Sequence, residues 1–189
     1  MTGVVGILLA AGYAKRFGSA KLMHPLPHGE PVAKASANAL LSVLPKTVVV
    51  VRPDDHALIE LFTELNVQIV TNSWADKGMG ASLAAGIEAT ANADGWLIAL
   101  ADMPWVQSDT ISALVTRIKN GASIVAPEYA GRRGNPVGFS SHWLKPLQAL
   151  SADIGARDLI ADHLDQLELV ATEDAGVLKD IDYPDDLSS

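Results

Sequence analysis

The chain has 189 residues, with 14 Lys and Arg against 22 Asp and Glu (net charge −8) and no cysteine. That length suits one α/β domain, spanning 1–189, that buries its own core, and a cysteine-free chain excludes disulfides, thiolate metal sites and a cysteine nucleophile. The acidic balance works against nucleic acid or an anionic membrane as partner, so a polyanionic small substrate would have to rely on the few local cations.

Met1 to Ala11 is apolar but has no basic start and no small-residue cleavage site. It runs directly into a loop rich in glycine and charge, so it reads as a buried strand and not as a secretory signal. No apolar run approaches the ~20 residues of a membrane helix, and the expected location is the cytoplasm. The run Val4 to Leu9 predicts a strand of the parallel, two-sided type. Pro31 to Leu44 carries helix formers and stops before Pro45; Thr47 to Val51 is a β-branched strand. Asp54 and Asp55 offer a cap to a helix over His56 to Leu65, and Val67 to Val70 is a further strand.

The second half repeats this alternation. A helix over Ser82 to Ala91 is entered through Gly78-Met79-Gly80, with Ser82 as a candidate cap. A strand at Trp96 to Leu100 precedes a helix capped by Ser108 or Asp109 and running to about Lys119. A strand at Ser123 to Ala126 leads through a Gly-rich loop, Gly131 to Pro136, into Val137-Gly138-Phe139. Helices around Ser141 to Ala149 and Ala156 to Leu164, a strand near Leu167 to Val170 and a last turn at Pro184 to Leu187 complete the pattern. Strands alternating with helices imply βαβ units, hence an α/β fold: a Rossmann-like, mostly parallel mixed sheet flanked by helices. Ligands of such sheets bind at the carboxyl ends of the strands.

The loops at those ends carry the chemistry. Leu9-Ala10-Ala11-Gly12 opens a stretch in which small residues let backbone amides approach an anion, while Arg16 and Lys21 can neutralise phosphate. The same residues also suit an ordinary solvated loop. Gly12 to Gly18 has the wrong spacing for a P-loop, and the dinucleotide fingerprint G-x-G-x-x-G is absent. Asp102, in Leu100-Ala101-Asp102-Met103-Pro104, sits where a carboxylate can hold magnesium, and Ser108 and Asp109 lie closer to the next helix start. The five histidines lack metal-ligand spacing, and neither H-E-x-x-H nor G-x-S-x-G occurs.

The string L-A-A-G-x-x-x-R-x-G-x-x-K resembles the signature loop of nucleotidyltransferases with a glycosyltransferase-A-like fold. Within them it is most similar to the molybdenum cofactor cytidylyltransferase group of the MobA-like NTP transferases. The resemblance implies that Leu9, Ala10, Ala11 and Gly12 wrap a nucleoside triphosphate, with Arg16 and Lys21 on its phosphates and Asp102 on a catalytic Mg2+. Ala11 resembles the members that use CTP. The tail Asp180-Ile181-Asp182-Tyr183-Pro184 resembles the family's D-I-D-T-P, which makes Asp182, with Asp180 as the alternative, the second metal ligand; these acids also suit capping of the last turn. Gly80 and Ser82 fall in a segment similar to the family's G-M-G-x-S-L, placed around the nucleotide base and acceptor. Asn135 stands where the family often has His, in its acceptor segment. Arg157 matches a family Arg and is either a contact to acceptor phosphate or a helix-surface residue. Trp74 could flank a pterin ring.

The implied activity is Mg2+-dependent transfer of CMP from CTP to a molybdopterin-type acceptor, with a recipient molybdoenzyme or its chaperone as partner. Sugar- or polyol-phosphate nucleotidyl transfer and a non-catalytic molybdenum cofactor carrier are the alternatives.

Overall fold

The computed structural model describes residues 3–12, 17, 20–75, 78–151 and 156–188. Along them run β1 (Val4–Leu9), α1 (Val32–Leu41), β2 (Thr47–Val51), α2 (His56–Glu64), β3 (Gln68–Thr71), α3 (Met79–Ala89) and β4 (Gly95–Leu100). The second half adds α4 (Ser108–Lys119), β5 (Ile124–Tyr129), β6 (Arg132–Arg133), β7 (Val137–Ser140), α5 (Leu144–Gln148), α6 (Ala156–Ala161) and β8 (Leu167–Ala171). The strands form one sheet in the order β3-β2-β1-β4-β7-β5-β6, with β8 also paired to β5. The pairs β1–β2, β2–β3, β1–β4 and β5–β8 are parallel, whereas β7 runs antiparallel to both β4 and β5. This is the expected mostly parallel mixed sheet.

The strand chemistry accounts for the layering. Every residue of β1 is buried, so its alternating side chains must be apolar toward both faces. Val4 and Leu8 join a core with α1, α2 and α4, through residues such as Leu40, Phe62 and Leu114. Val5, Ile7 and Leu9 join a second core on the opposite face, with Leu83 of α3, Leu147 of α5 and Ile160 of α6. Gly86 of α3 lies against Ile7 and Val50, where a Cβ would come within 2.9 Å of Ile7. The chain order β1-β2-β3 moves outward and then returns to the other side of β1 with β4. That reversal is the switch point at which α/β sheets bind ligands. Among the described residues, no helix is long and apolar enough to cross a membrane.

Three local expectations are corrected by tertiary contacts. α3 starts at Met79, because Gly78 takes φ 108°, a left-handed conformation suited to glycine, and turns the chain into the helix. Ser82 is therefore inside the helix and caps nothing; it is 4% exposed and its hydroxyl accepts from Asn72 Nδ2 at 3.1 Å. Neither Ser108 nor Asp109 caps α4, both being helical. The cap comes from the distant tail: Asp174 Oδ2 accepts from the Gln107 amide at 2.8 Å and from Thr110 Oγ1 at 2.9 Å, while Oδ1 accepts from the Gly176 amide at 2.9 Å. Finally, the Gly-rich loop after β5 is a tight hairpin into β6, its turn made by Ala130 (φ 49°) and Gly131 (φ 72°).

Asp174 is 2% exposed, so its loss would strand the buried Gly176 amide and Thr110 hydroxyl and break the part-buried bond to the Gln107 amide. We expect Asp174→Ala to lower the unfolding free energy by roughly 2–4 kcal/mol. Urea denaturation measures this, and a loss under about 1 kcal/mol would show that water replaces the carboxylate.

Candidate functional site

The site lies at the carboxyl ends of β1 and β4. The backbone leaves β1 with the Ala10 amide donating to Val50 O at 2.9 Å. Ala10 and Ala11 are buried and Gly12 is exposed. The Gly12 carbonyl is fixed by Arg52 at the tip of β2, whose Nη1 donates to it at 3.1 Å. The same guanidinium donates to Asp54 at 3.2 Å and to Asp55 at 3.1 Å, and Asp55 Oδ1 in turn accepts from the Leu58 amide at the start of α2. One guanidinium thus ties the loop after β1 to the tip of β2 and the head of α2. Arg16 lies outside the described residues. Phe17 anchors the far side of the loop in a small apolar cluster with Leu26, Val32, Ile181 and Leu187.

Lys21 opens a short 3-10 turn beyond this anchor. Its Nζ donates to Asp102 Oδ2 at 2.8 Å and lies 3.8 Å from Asp182 Oδ1. The Lys21 side chain is 11% exposed, against 25% for Asp102 and 39% for Asp182, so the carboxylates face outward over the ammonium. Backbone contacts set this arrangement. The Ala101 amide donates to Leu9 O at 3.1 Å, joining the ends of β1 and β4. Ser36 Oγ of α1 donates to Ala101 O at 2.9 Å. The Ile181 amide donates to Asp102 O at 3.0 Å, which lays the tail alongside the β4 loop and sets Asp182 beside Asp102. Asp180 is exposed on the other side of buried Ile181.

Asp186 completes the tail. Its Oδ2 accepts from the amides of Asp182 at 2.8 Å and Tyr183 at 2.7 Å. The Tyr183 amide, then the Asp182 amide, hold the Asp186 carboxyl below the usual carboxylate value; partial burial opposes them and Lys21 adds to them. The paired aspartates of the tail suggested only first-turn charge in the sequence. The D-D spacing four residues beyond Asp182 was the available signal for this bracket.

The other candidates surround this centre. Gly80 is buried at the head of α3, and Ser82 is bonded to Asn72, whose amide donates to Val51 O. Asn72 Oδ1 also accepts from the Trp74 amide at 3.0 Å, and the Trp74 side chain is 60% exposed. β7 pairs with β4 so that Val137 faces Ile98, which brings Asn135 to the carboxyl end of β4; its amide donates to Val177 O at 2.9 Å. Arg157 is exposed on α6, on the sheet face that α3 covers. Arg52, Asn72 and Asp186 were not among the sequence candidates. Arg52 had a signal, an Arg-Pro-Asp-Asp string leaving a strand, whereas Asn72 had none.

Among the described residues, no three His, Asp or Glu side chains converge as a metal cluster. The pair Asp102 and Asp182 nonetheless suits a hard cation that keeps waters and borrows phosphate oxygens. The position between them already attracts a positive charge, since the Lys21 ammonium sits there.

Residues 6–167 match the MobA-like NTP transferase domain. The purine catabolism protein PucB of Bacillus subtilis is 31% identical over 194 aligned residues, covering 97% of this chain and 93% of PucB. The nicotine blue oxidoreductase of Paenarthrobacter nicotinovorans is 30% identical, with 95% of this chain and 92% of that protein covered. The crystal structure of Rv0371c from Mycobacterium tuberculosis has the same fold, with a TM-score of 0.85 at 23% identity, covering 100% of this chain and 99% of that one. Rv0371c has also been solved in complex with manganese.

The folded-state depression of Asp186 fixes a pH dependence. Stability from this carboxylate is fully present above its unfolded value and is withdrawn as pH falls through the lower folded value. With chelator present, the wild type should exceed Asp186→Asn in stability by a constant margin from neutral to mildly acidic pH. The margin should then shrink in acid below the usual carboxylate range. A margin that stays flat in thermal unfolding across that range would exclude this role for Asp186.

Proposed function

The chain belongs to the MobA-like NTP transferase family, and from that premise we propose that it transfers CMP from CTP to the terminal phosphate of a molybdopterin-type acceptor. The observation that carries the reading is the Lys21 ammonium held against Asp102 and Asp182 at the tips of β1 and β4. A charged trio at a switch point, beside a loop of small residues, suits a polyanionic substrate with a divalent cation.

In this reaction an acceptor phosphate oxygen forms a bond to the α-phosphorus of the triphosphate. The bond from the α-phosphorus to the bridging oxygen breaks, and pyrophosphate leaves. The nucleophile is already anionic at neutral pH, so alignment and charge neutralisation supply the catalysis without a strong base. Asp102 and Asp182 would hold the cation, which contributes Lewis-acid polarisation of the phosphates when bound. Lys21, joined by Arg16, offsets negative charge on the triphosphate and on the departing pyrophosphate. Leu9, Ala10, Ala11 and Gly12 present backbone to the nucleotide, and Arg52 keeps the Gly12 carbonyl in place while they do so. Ala11 supports cytidine, on its likeness to CTP-using members. Gly80 and Ser82 are assigned to the nucleotide side, and Asn135 and Arg157 to the acceptor side. Asn135 carries no ionisable group, in keeping with a reaction that requires no base there.

The two relatives are named for purine catabolism and as a nicotine blue oxidoreductase. Both names concern nitrogen heterocycles, which supports a role next to an oxidising enzyme that receives the finished cofactor.

The test is Mg2+-dependent pyrophosphate release with CTP, GTP, ATP and UTP, each with and without molybdenum-loaded molybdopterin. Release with CTP only when the acceptor is present is the expected result. Release with a sugar or polyol phosphate instead would move the acceptor. No release, together with reduction of a conjugated dye, would replace transfer by an oxidoreductase reading. Asp102→Ala should lower turnover on the order of 10²–10³-fold with an unchanged circular dichroism spectrum, and near-normal turnover would remove Asp102 from the reaction. Lys21→Ala should raise KM for the nucleotide; an unchanged KM would remove Lys21 from the triphosphate.

A further inference from the structure

Lys21 has two sets of anionic partners that compete for one ammonium. In the structure its ammonium is 2.8 Å from Asp102 and 3.8 Å from Asp182. In the proposed reaction it reaches the triphosphate. The charge sum around it decides what the site accepts. Of the charges there, the ammonium offsets one unit beside Asp102 and Asp182, so the pair is a weaker lure for a divalent cation with it in place than without it. A cation arriving alone must push the ammonium off both carboxylates. The Lys21 side chain is 11% exposed, so the displaced charge would stay close by as a repelling neighbour with little water around it.

A triphosphate changes this balance. It offers the ammonium a new anionic partner and brings oxygen ligands for the cation. We infer that Lys21 is an internal competitor of the divalent cation: it keeps the carboxylate pair closed to metal alone and opens it when a triphosphate draws the ammonium away. This rests on the proposed reading of Asp102 and Asp182 as the cation's holders and of Lys21 as a triphosphate contact. Linkage makes the effect reciprocal, so the cation strengthens nucleotide binding by the factor with which the nucleotide strengthens cation binding. The site thereby avoids holding free metal and commits to the metal–nucleotide pair.

The experiment measures Mn2+ binding by electron paramagnetic resonance on chelator-stripped protein, without nucleotide. Lys21→Met should bind Mn2+ on the order of tenfold tighter than wild type, and Lys21→Gln should behave the same way. In wild type, a non-hydrolysable CTP analogue should raise Mn2+ affinity by a comparable factor, and in Lys21→Met by much less. Thermal unfolding verifies that the variants are folded. Equal Mn2+ affinity in wild type and both folded variants overturns the inference. If neither variant folds, wild type decides: Mn2+ bound as tightly without the analogue as with it also overturns it. A chain that releases no pyrophosphate in any combination, while Lys21→Met gains Mn2+ affinity, would lose the transfer reaction and keep the competition at the carboxylate pair.

Discussion

One ammonium between two carboxylates organises the functional end of this molecule. Lys21, Asp102 and Asp182 come from the loop after β1, the loop after β4 and the tail, and nothing local in the chain would bring them together. Their meeting depends on backbone ties: Ala101 to Leu9 between strands, Ile181 to Asp102 between tail and loop. Like charges side by side repel, and the Lys21 ammonium beside both Asp102 and Asp182 offsets that repulsion. The sheet supplies rigidity, and the charge trio gives that rigidity a chemical purpose.

The sheet, in turn, follows from burial on two sides. β1 sends Val4 and Leu8 to one core and Val5, Ile7 and Leu9 to the other, so it must be central, and both its neighbours, β2 and β4, run parallel to it. With the helices covering both faces, the candidate site is left at the strand ends. There the loops are pinned by polar contacts, the Arg52 guanidinium on Gly12 and the Ser36 hydroxyl on Ala101. The functional end is held by directed bonds and the rest by apolar area, a division that keeps backbone groups available to a ligand without loosening the strands beneath.

How much of this was legible in the sequence follows the range of the interactions. The strands were readable because apolar and β-branched runs such as Val4 to Leu9 and Thr47 to Val51 carry their own period. Lys21, Asp102 and Asp182 were readable as candidates because their strings resemble a family's, and the geometry then joined them. What stayed hidden depends on partners far along the chain. Asp174 caps α4 from the tail, so the local expectation of Ser108 or Asp109 missed it. Ser82 looked like a cap and became a buried link to Asn72, because Gly78 turned the chain into the helix three residues earlier. Arg52 and Asp186 serve backbone atoms, and a carbonyl or amide leaves no trace in composition. The hairpin at Ala130 and Gly131 was hidden because alanine rarely takes a positive φ.

The tail has a consequence for how the molecule is made. Ribosomal synthesis delivers the chain from its amino terminus, so Lys21 and Asp102 emerge, and their strands can pair, well before residues 174–188 appear. Until then the head of α4 lacks the Asp174 carboxylate on the Gln107 amide and the Thr110 hydroxyl, and Asp182 does not yet stand beside Asp102. A nascent chain therefore holds all the strands of the sheet before it holds the Asp182 carboxylate. Under the proposed reading, a chain clipped by a protease between β8 and Asp182 would keep every strand of the sheet and lose one of the cation's two holders.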